Sequence, residues 1–126
     1  MTDKTPYDQL GGAAGVRDLV NRFYDVMEQD PMLGELRTMH APDLTPMRQK
    51  LFEFMSGWLG GPPLYFERPD HPCIVSAHRA FPIGAKERDQ WLSAMHRALT
   101  ETSLSSETQQ LLRQALFQTA DALRNS

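Results

Sequence analysis

Val16-Arg17-Asp18-Leu19-Val20-Asn21-Arg22-Phe23-Tyr24-Asp25-Val26-Met27-Glu28-Gln29-Asp30-Pro31 places Val16, Leu19, Val20, Phe23 and Met27 at offsets of 0, 3, 4, 7 and 11. That spacing is one apolar stripe of an amphipathic helix, and Asp30-Pro31 stops it. Tyr24 stands beside the stripe, four residues after Val20, where it borders the core and can turn its hydroxyl inward. The same period returns downstream. Met47, Leu51, Phe54, Met55 and Trp58 lie at offsets of 0, 4, 7, 8 and 11, opened by Thr45-Pro46 as a cap followed by a proline and ended by Gly60-Gly61-Pro62-Pro63. Trp91, Met95, Ala98 and Leu99 are in register over residues 85–100. Leu111, Leu112, Ala115, Leu116, Thr119, Ala120 and Leu123 mark a last helix over residues 107–124. Upstream, Thr5-Pro6 reads as a cap followed by a helix-starting proline, and Gly11-Gly12 closes that short helix. Residues 32–44 read as short and irregular, residues 64–72 as a loop, and residues 73–79 as a helix of about two turns. No segment alternates with period two. The predicted class is all-α.

At 126 residues the expectation is one domain over 1–126 with room for one core. Charged residues are 23 % and the formal net charge is -3, which excludes a disordered chain and the basic stripe of a nucleic-acid binder. A single cysteine, Cys73, excludes an internal disulfide framework and suits a reducing compartment. No apolar run approaches the roughly 18 residues of a membrane span. The opening stretch from Met1 to Leu10 lacks the apolar core of a secretory signal, so the expected location is the cytoplasm, as a monomer or weak dimer.

Chemistry falls to the histidines, His40, His71, His78 and His96, because no nucleophile motif or phosphate loop is present. None is three or four residues from another on a helix, and Cys73 beside His71 has no second pair to complete a zinc site. His78 follows Ile74 by four residues and Val75 by three, so its face is apolar. A neutral imidazole on such a face is what a single axial metal ligand requires. A half-buried histidine bonded to a backbone carbonyl fits the same pattern. Trp91 brings one N–H donor and Tyr24 one hydroxyl, yet either also fits as an ordinary core aromatic. His40, after an irregular turn, fits equally as a surface residue. Taken singly, none decides.

The order of short motifs does decide. Tyr7-Asp8-Gln9-Leu10-Gly11-Gly12 is followed by Arg22-Phe23-Tyr24 and Met39-His40-Ala41-Pro42-Asp43-Leu44. Then come Gly60-Gly61-Pro62, His71-Pro72, His78 with Phe81-Pro82-Ile83-Gly84, and Glu87-Arg88-Asp89-Gln90-Trp91-Leu92. From about residue 7 to 123 the chain resembles the truncated haemoglobins of the second group, small globins with a two-over-two helical sandwich enclosing a haem. The resemblance implies haem b held without covalent attachment, with His78 as the proximal ligand of the iron. It implies distal hydrogen bonds from Tyr24 and Trp91, with His40 at the position of a third polar or aromatic residue. Met47 and Leu51 match distal-helix positions facing the ligand, while Phe54, Met55, Trp58 and Phe81 complete the apolar wall. Ser76 and Ala77 stand where relatives often carry a propionate-binding arginine, which leaves Lys50 and Arg79 as replacements.

Dioxygen on ferrous haem carries partial negative charge, so nearby O–H and N–H donors hold it and slow its escape. The expected function is reversible binding of dioxygen, carbon monoxide, nitric oxide or peroxide, with oxygen, nitric oxide or peroxide chemistry rather than bulk transport. As an enzyme the chain would be a haem peroxidase, with His40 as proton acceptor, or a nitric oxide dioxygenase served by an unidentified reductase. The alternatives are an oxygen carrier, store or sensor without turnover, and a haemless helical interaction module.

Overall fold

The computed structural model describes residues 4–125. The first three residues of the stretch read for a secretory signal, and Ser126, lie outside them. The chain runs through α1 (Pro6–Gln9), α2 (Ala13–Gln29), a 3-10 turn (Pro31–Leu33) and α3 (Gly34–Thr38). It continues through α4 (Thr45–Trp58), α5 (Leu64–Glu67), α6 (Ile74–His78), α7 (Ala85–Thr100) and α8 (Ser106–Ala122). No strand occurs among the described residues, and none of their helices is long and apolar enough to cross a membrane.

Local chemistry sets the boundaries. The Thr5 hydroxyl accepts from the Asp8 N–H at 3.1 Å, and Pro6 begins α1. Gly11 and Gly12 take φ of 96° and 78°, the left-handed region where a side chain would be strained, and release the chain into α2. Asp30 closes α2 through its N–H to Val26, while its carboxylate accepts from the Met32 N–H at 2.9 Å and opens the next turn.

Three readings of the sequence need correction. Residues 32–44 are not irregular throughout: the 3-10 turn and α3 occupy part of them, too short to show a hydrophobic period. Thr45 is the first residue of α4 and not its cap, because the Asp43 carboxylate accepts from the Thr45 N–H at 3.0 Å and shifts the start by one position. Residues 64–72 contain one helical turn, α5, anchored by the buried Tyr65.

α2 packs against both α4 and α7, and α8 packs on α7, so one helix pair lies over another. Val16, Leu19, Val20, Phe23 and Met27 are at most 1 % exposed and meet Ala94, Met95, Ala98 and Leu99 of α7. On α8, Leu112, Leu116 and Ala120 are buried, but Leu111 is 63 % exposed, since this helix has a packed face only toward α7. On α4 the buried positions are Phe52, Glu53, Met55 and Ser56. Four members of the stripe read from the sequence, Met47, Leu51, Phe54 and Trp58, are only half-buried and touch the core along one edge. The glycine landmarks form one joint. A Cβ on Gly61 would sit 2.3 Å from the Tyr7 ring, and the Tyr7 N–H donates to the Leu59 carbonyl at 3.0 Å.

Glu53 ties α4 to the end of α5. Both its oxygens accept from Arg68, one at 2.6 Å, and Gln49 donates to it at 2.8 Å. The Arg68 guanidinium outweighs the opposing effect of burial and draws the Glu53 pKa down to about 2. A carboxylate with a folded-state pKa below its unfolded value adds stability that is complete above about pH 4.5 and is lost as pH falls toward 2. Glu53→Gln is therefore expected to cost about 1–2 kcal/mol at pH 7. The difference from the wild type should shrink through acid titration in urea melts, and a constant difference from pH 7 to pH 3 would contradict the assignment.

Candidate functional site

The half-buried side of α4 carries Met47, Leu51, Phe54 and Trp58. His78 is the last residue of α6 and half-buried, and its Nδ1–H donates to the Ile74 carbonyl at 2.6 Å. A carbonyl only accepts, so the proton is fixed on Nδ1 and Nε2 keeps its lone pair. The backbone-bonded imidazole foreseen for His78 is present, with its Nε2 unprotonated. Val75 and Phe81 beside it are large apolar side chains left 39 % and 42 % exposed.

Tyr24 and Trp91 are held together through one ring. Phe23 lies 4.9 Å from the Tyr24 centroid, edge-on, and 5.2 Å from the Trp91 centroid. Burial pushes the Tyr24 hydroxyl far above the ordinary phenol range, and the Arg48 charge only partly offsets it, so Tyr24 is a neutral donor. Neither the Tyr24 hydroxyl nor the Trp91 indole N–H is bonded within the protein among the described residues.

His40 stands 6.1 Å from Tyr24, ring edge to ring face. Its Nδ1–H donates to the Leu36 carbonyl at 2.9 Å. Burial lowers its pKa, the Leu36 carbonyl works the other way, and the charges of Arg37 and His78 lower it further. His40 is accordingly neutral near pH 7, with Nε2 a hydrogen-bond acceptor. Arg37 donates to the Ala41 and Pro42 carbonyls at 3.1 and 2.9 Å, which fixes the turn that carries His40.

Other candidates fall outside this group or at its margin. Met55 is 1 % exposed and belongs to the core behind the half-open face rather than to the wall itself. Lys50 and Arg79 are exposed and in no ion pair among the described residues, which leaves both cations available to solvent. His71 is exposed and bonded to the Arg68 carbonyl, Cys73 is exposed, and His96 is enclosed on α7. Among the described residues no three His, Cys, Asp or Glu side chains come together as a metal cluster. Arg48 escaped the sequence reading. It stacks 5.5 Å over the Tyr24 ring while donating to the Asn21 carbonyl, Asp25 and Glu28, so one α4 cation pins α2 where Tyr24 sits. Its signal in the sequence was the Asp25/Glu28 pair three residues apart, which names no partner.

An imidazole with a free nitrogen, two unbonded donors and a half-open apolar helix face fit the needs of a flat, mostly apolar group with a central metal. Helix pairs stacked two over two around such a face are globin architecture. Residues 5–125 match the family of bacterial-like globins, and the chain belongs to that family. It is 35 % identical over 107 residues to the group 2 truncated hemoglobin YjbI of Bacillus subtilis, covering 85 % of this chain and 78 % of that one. Its fold is similar to the cold-adapted truncated hemoglobin of Pseudoalteromonas haloplanktis TAC125, with a TM-score of 0.93, 40 % identity and coverage of 98 % and 99 % of the two chains. The group II 2-on-2 hemoglobin of Agrobacterium tumefaciens gives a TM-score of 0.92 at 34 % identity, covering 99 % of this chain and 97 % of that one. As a group II truncated globin the chain binds haem and diatomic ligands such as oxygen.

Proposed function

We propose that the haem is haem b, held non-covalently, and that His78 Nε2 is the protein's ligand to its iron. The Nδ1–H bond from His78 to the Ile74 carbonyl carries this reading, since it leaves Nε2 unprotonated and fixes the ring. When bound, the haem would supply an iron able to take a diatomic ligand or peroxide. Tyr24 and Trp91 donate hydrogen bonds to that ligand. Met47, Leu51, Phe54, Trp58 and Phe81 exclude water from it, with Met55 supporting them from the core. Lys50 and Arg79 reach the propionate carboxylates from the surface.

His40 does something different from a third donor. With its proton committed to Leu36, Nε2 takes a proton rather than gives one. A peroxide reaction needs that acceptor, and carriage of oxygen does not. Two good donors at about 0.5–1.5 kcal/mol each would also slow ligand escape roughly 10- to 100-fold, which suits chemistry better than delivery. Nitric oxide reacting with dioxygen at the same donors would leave as nitrate, and repeated turnover would draw electrons from an unidentified reductase. The test is peroxide-driven oxidation of a one-electron aromatic donor. His40→Ala is expected to lower kcat/KM by about 10- to 100-fold at pH 7. Turnover equal to the wild type would remove His40 from the chemistry and favour an oxygen carrier, store or sensor.

A further inference from the structure

α6 is five residues long and contributes no buried side chain. Neither helix cooperativity nor apolar packing fixes it, because a single turn is unstable alone and little surface is withdrawn from water. Polar anchors on either side do so. Upstream, the Tyr65 hydroxyl donates to the Pro72 carbonyl at 2.5 Å. Downstream, the anchor is Asn125, at the far end of the chain. Its backbone N–H donates to the Ile83 carbonyl at 2.9 Å, and its Oδ1 accepts from the Ile83 N–H at 2.9 Å. Its Nδ2 donates to the Phe81 carbonyl at 2.8 Å and to the His78 carbonyl at 3.3 Å. The orientation of the carboxamide is determined, since a flipped amide would set Nδ2 against an N–H and Oδ1 against two carbonyls.

We propose that Asn125 is a positioning residue for His78, an inference that rests on His78 being the iron's ligand. His78 is held at two atoms: the ring through Nδ1 to Ile74, and the carbonyl, which accepts from Asn125 Nδ2 at 3.3 Å and from the Phe81 N–H at 3.1 Å. The first sets the rotation of the imidazole. The second sets how far and at what angle the whole residue is presented, in a segment that nothing else packs into place. Only a side chain with both a donor and an acceptor serves all the contacts. Aspartate keeps the bond from Ile83 but has no donor for the two carbonyls, so Asn125→Asp separates the grip on His78 from the grip on Ile83.

The experiment uses the haem-loaded protein. In the reduced, unliganded state the iron–imidazole stretching band is expected to shift and broaden in Asn125→Ala and Asn125→Asp alike. The rate of haem transfer to an apomyoglobin acceptor should rise roughly 3- to 10-fold, the worth of one or two lost hydrogen bonds. In His78→Gly supplied with free imidazole, the ligand is no longer joined to the backbone. Adding Asn125→Ala there should leave the band where it was. A wild-type band and transfer rate in Asn125→Ala would overturn the positioning role. So would a shift that persists with free imidazole, which would make Asn125 a general structural residue. If His78→Gly without imidazole kept wild-type haem and band, the reading of His78 itself would fail, and the positioning role with it.

Discussion

His78→Ala is expected to yield a folded protein that no longer retains haem. The remaining contacts to a haem would be apolar and half-open, from Met47, Leu51, Phe54, Trp58 and Phe81, with two surface cations at its edge. None replaces a nitrogen-to-metal bond. The fold should tolerate the change, because α6 buries no side chain and alanine is the best helix former. What is lost locally is one hydrogen bond, to the Ile74 carbonyl. Far-ultraviolet dichroism should therefore match the wild type, while the intense Soret absorbance of haem disappears from the purified protein and returns with added imidazole. Full haem retention with an unchanged spectrum would remove His78 from the metal.

Tyr24→Phe with Trp91→Phe is expected to speed dioxygen release by about 10- to 100-fold, each single change giving about 3- to 10-fold. The first substitution is close to a pure test of the hydroxyl. The ring keeps its edge contact with Phe23 and stays beneath the Arg48 guanidinium. It also removes a hydroxyl that has no protein partner among the described residues, so the haem-free protein should lose little stability or none. Carbon monoxide gathers less charge than dioxygen and should escape at nearly the wild-type rate. Stopped-flow ligand replacement measures both rates. Equal acceleration of the two gases would mean that the side chains act by blocking the exit rather than by hydrogen bonding.

The helices that pack on two neighbours were plain in the sequence. In α2, Val16 to Met27 all reach the core because α4 and α7 cover that face together. The opening of α1 at Thr5-Pro6 was also legible, because its cap uses residues three apart. α4 was harder to read. Its period ran through Met47, Leu51, Phe54 and Trp58, which are half-buried along one edge of the core, while Phe52, Glu53 and Ser56, off that stripe, are buried. α3 and α5 are too short to express a period at all.

The site was legible to the degree that its chemistry sits in residue identity. Tyr24, Trp91, His40 and His78 were named as the chain was read; Tyr24 and Trp91 lie against Phe23, His40 lies beside Tyr24, and His78 ends α6. Lys50 and Arg79 remain at the margin, as exposed cations. The role of His40 was not legible, because donor or acceptor character depends on a proton that the Leu36 carbonyl fixes. Arg48 and Asn125 were hidden for a related reason. Their partners lie 20 or more and more than 40 residues away, at Asn21 and Ile83 for example, and no local pattern records such a pairing.

If His78 Nε2 holds a haem iron that is open to ligands, the absorption spectrum of the purified protein, reduced and then exposed to carbon monoxide, will show it. A strong Soret band that moves on adding the gas is expected, with the unliganded bands of iron held by one imidazole. A colourless protein that takes up no added haem, or a haem band indifferent to both carbon monoxide and loss of His78, would contradict it.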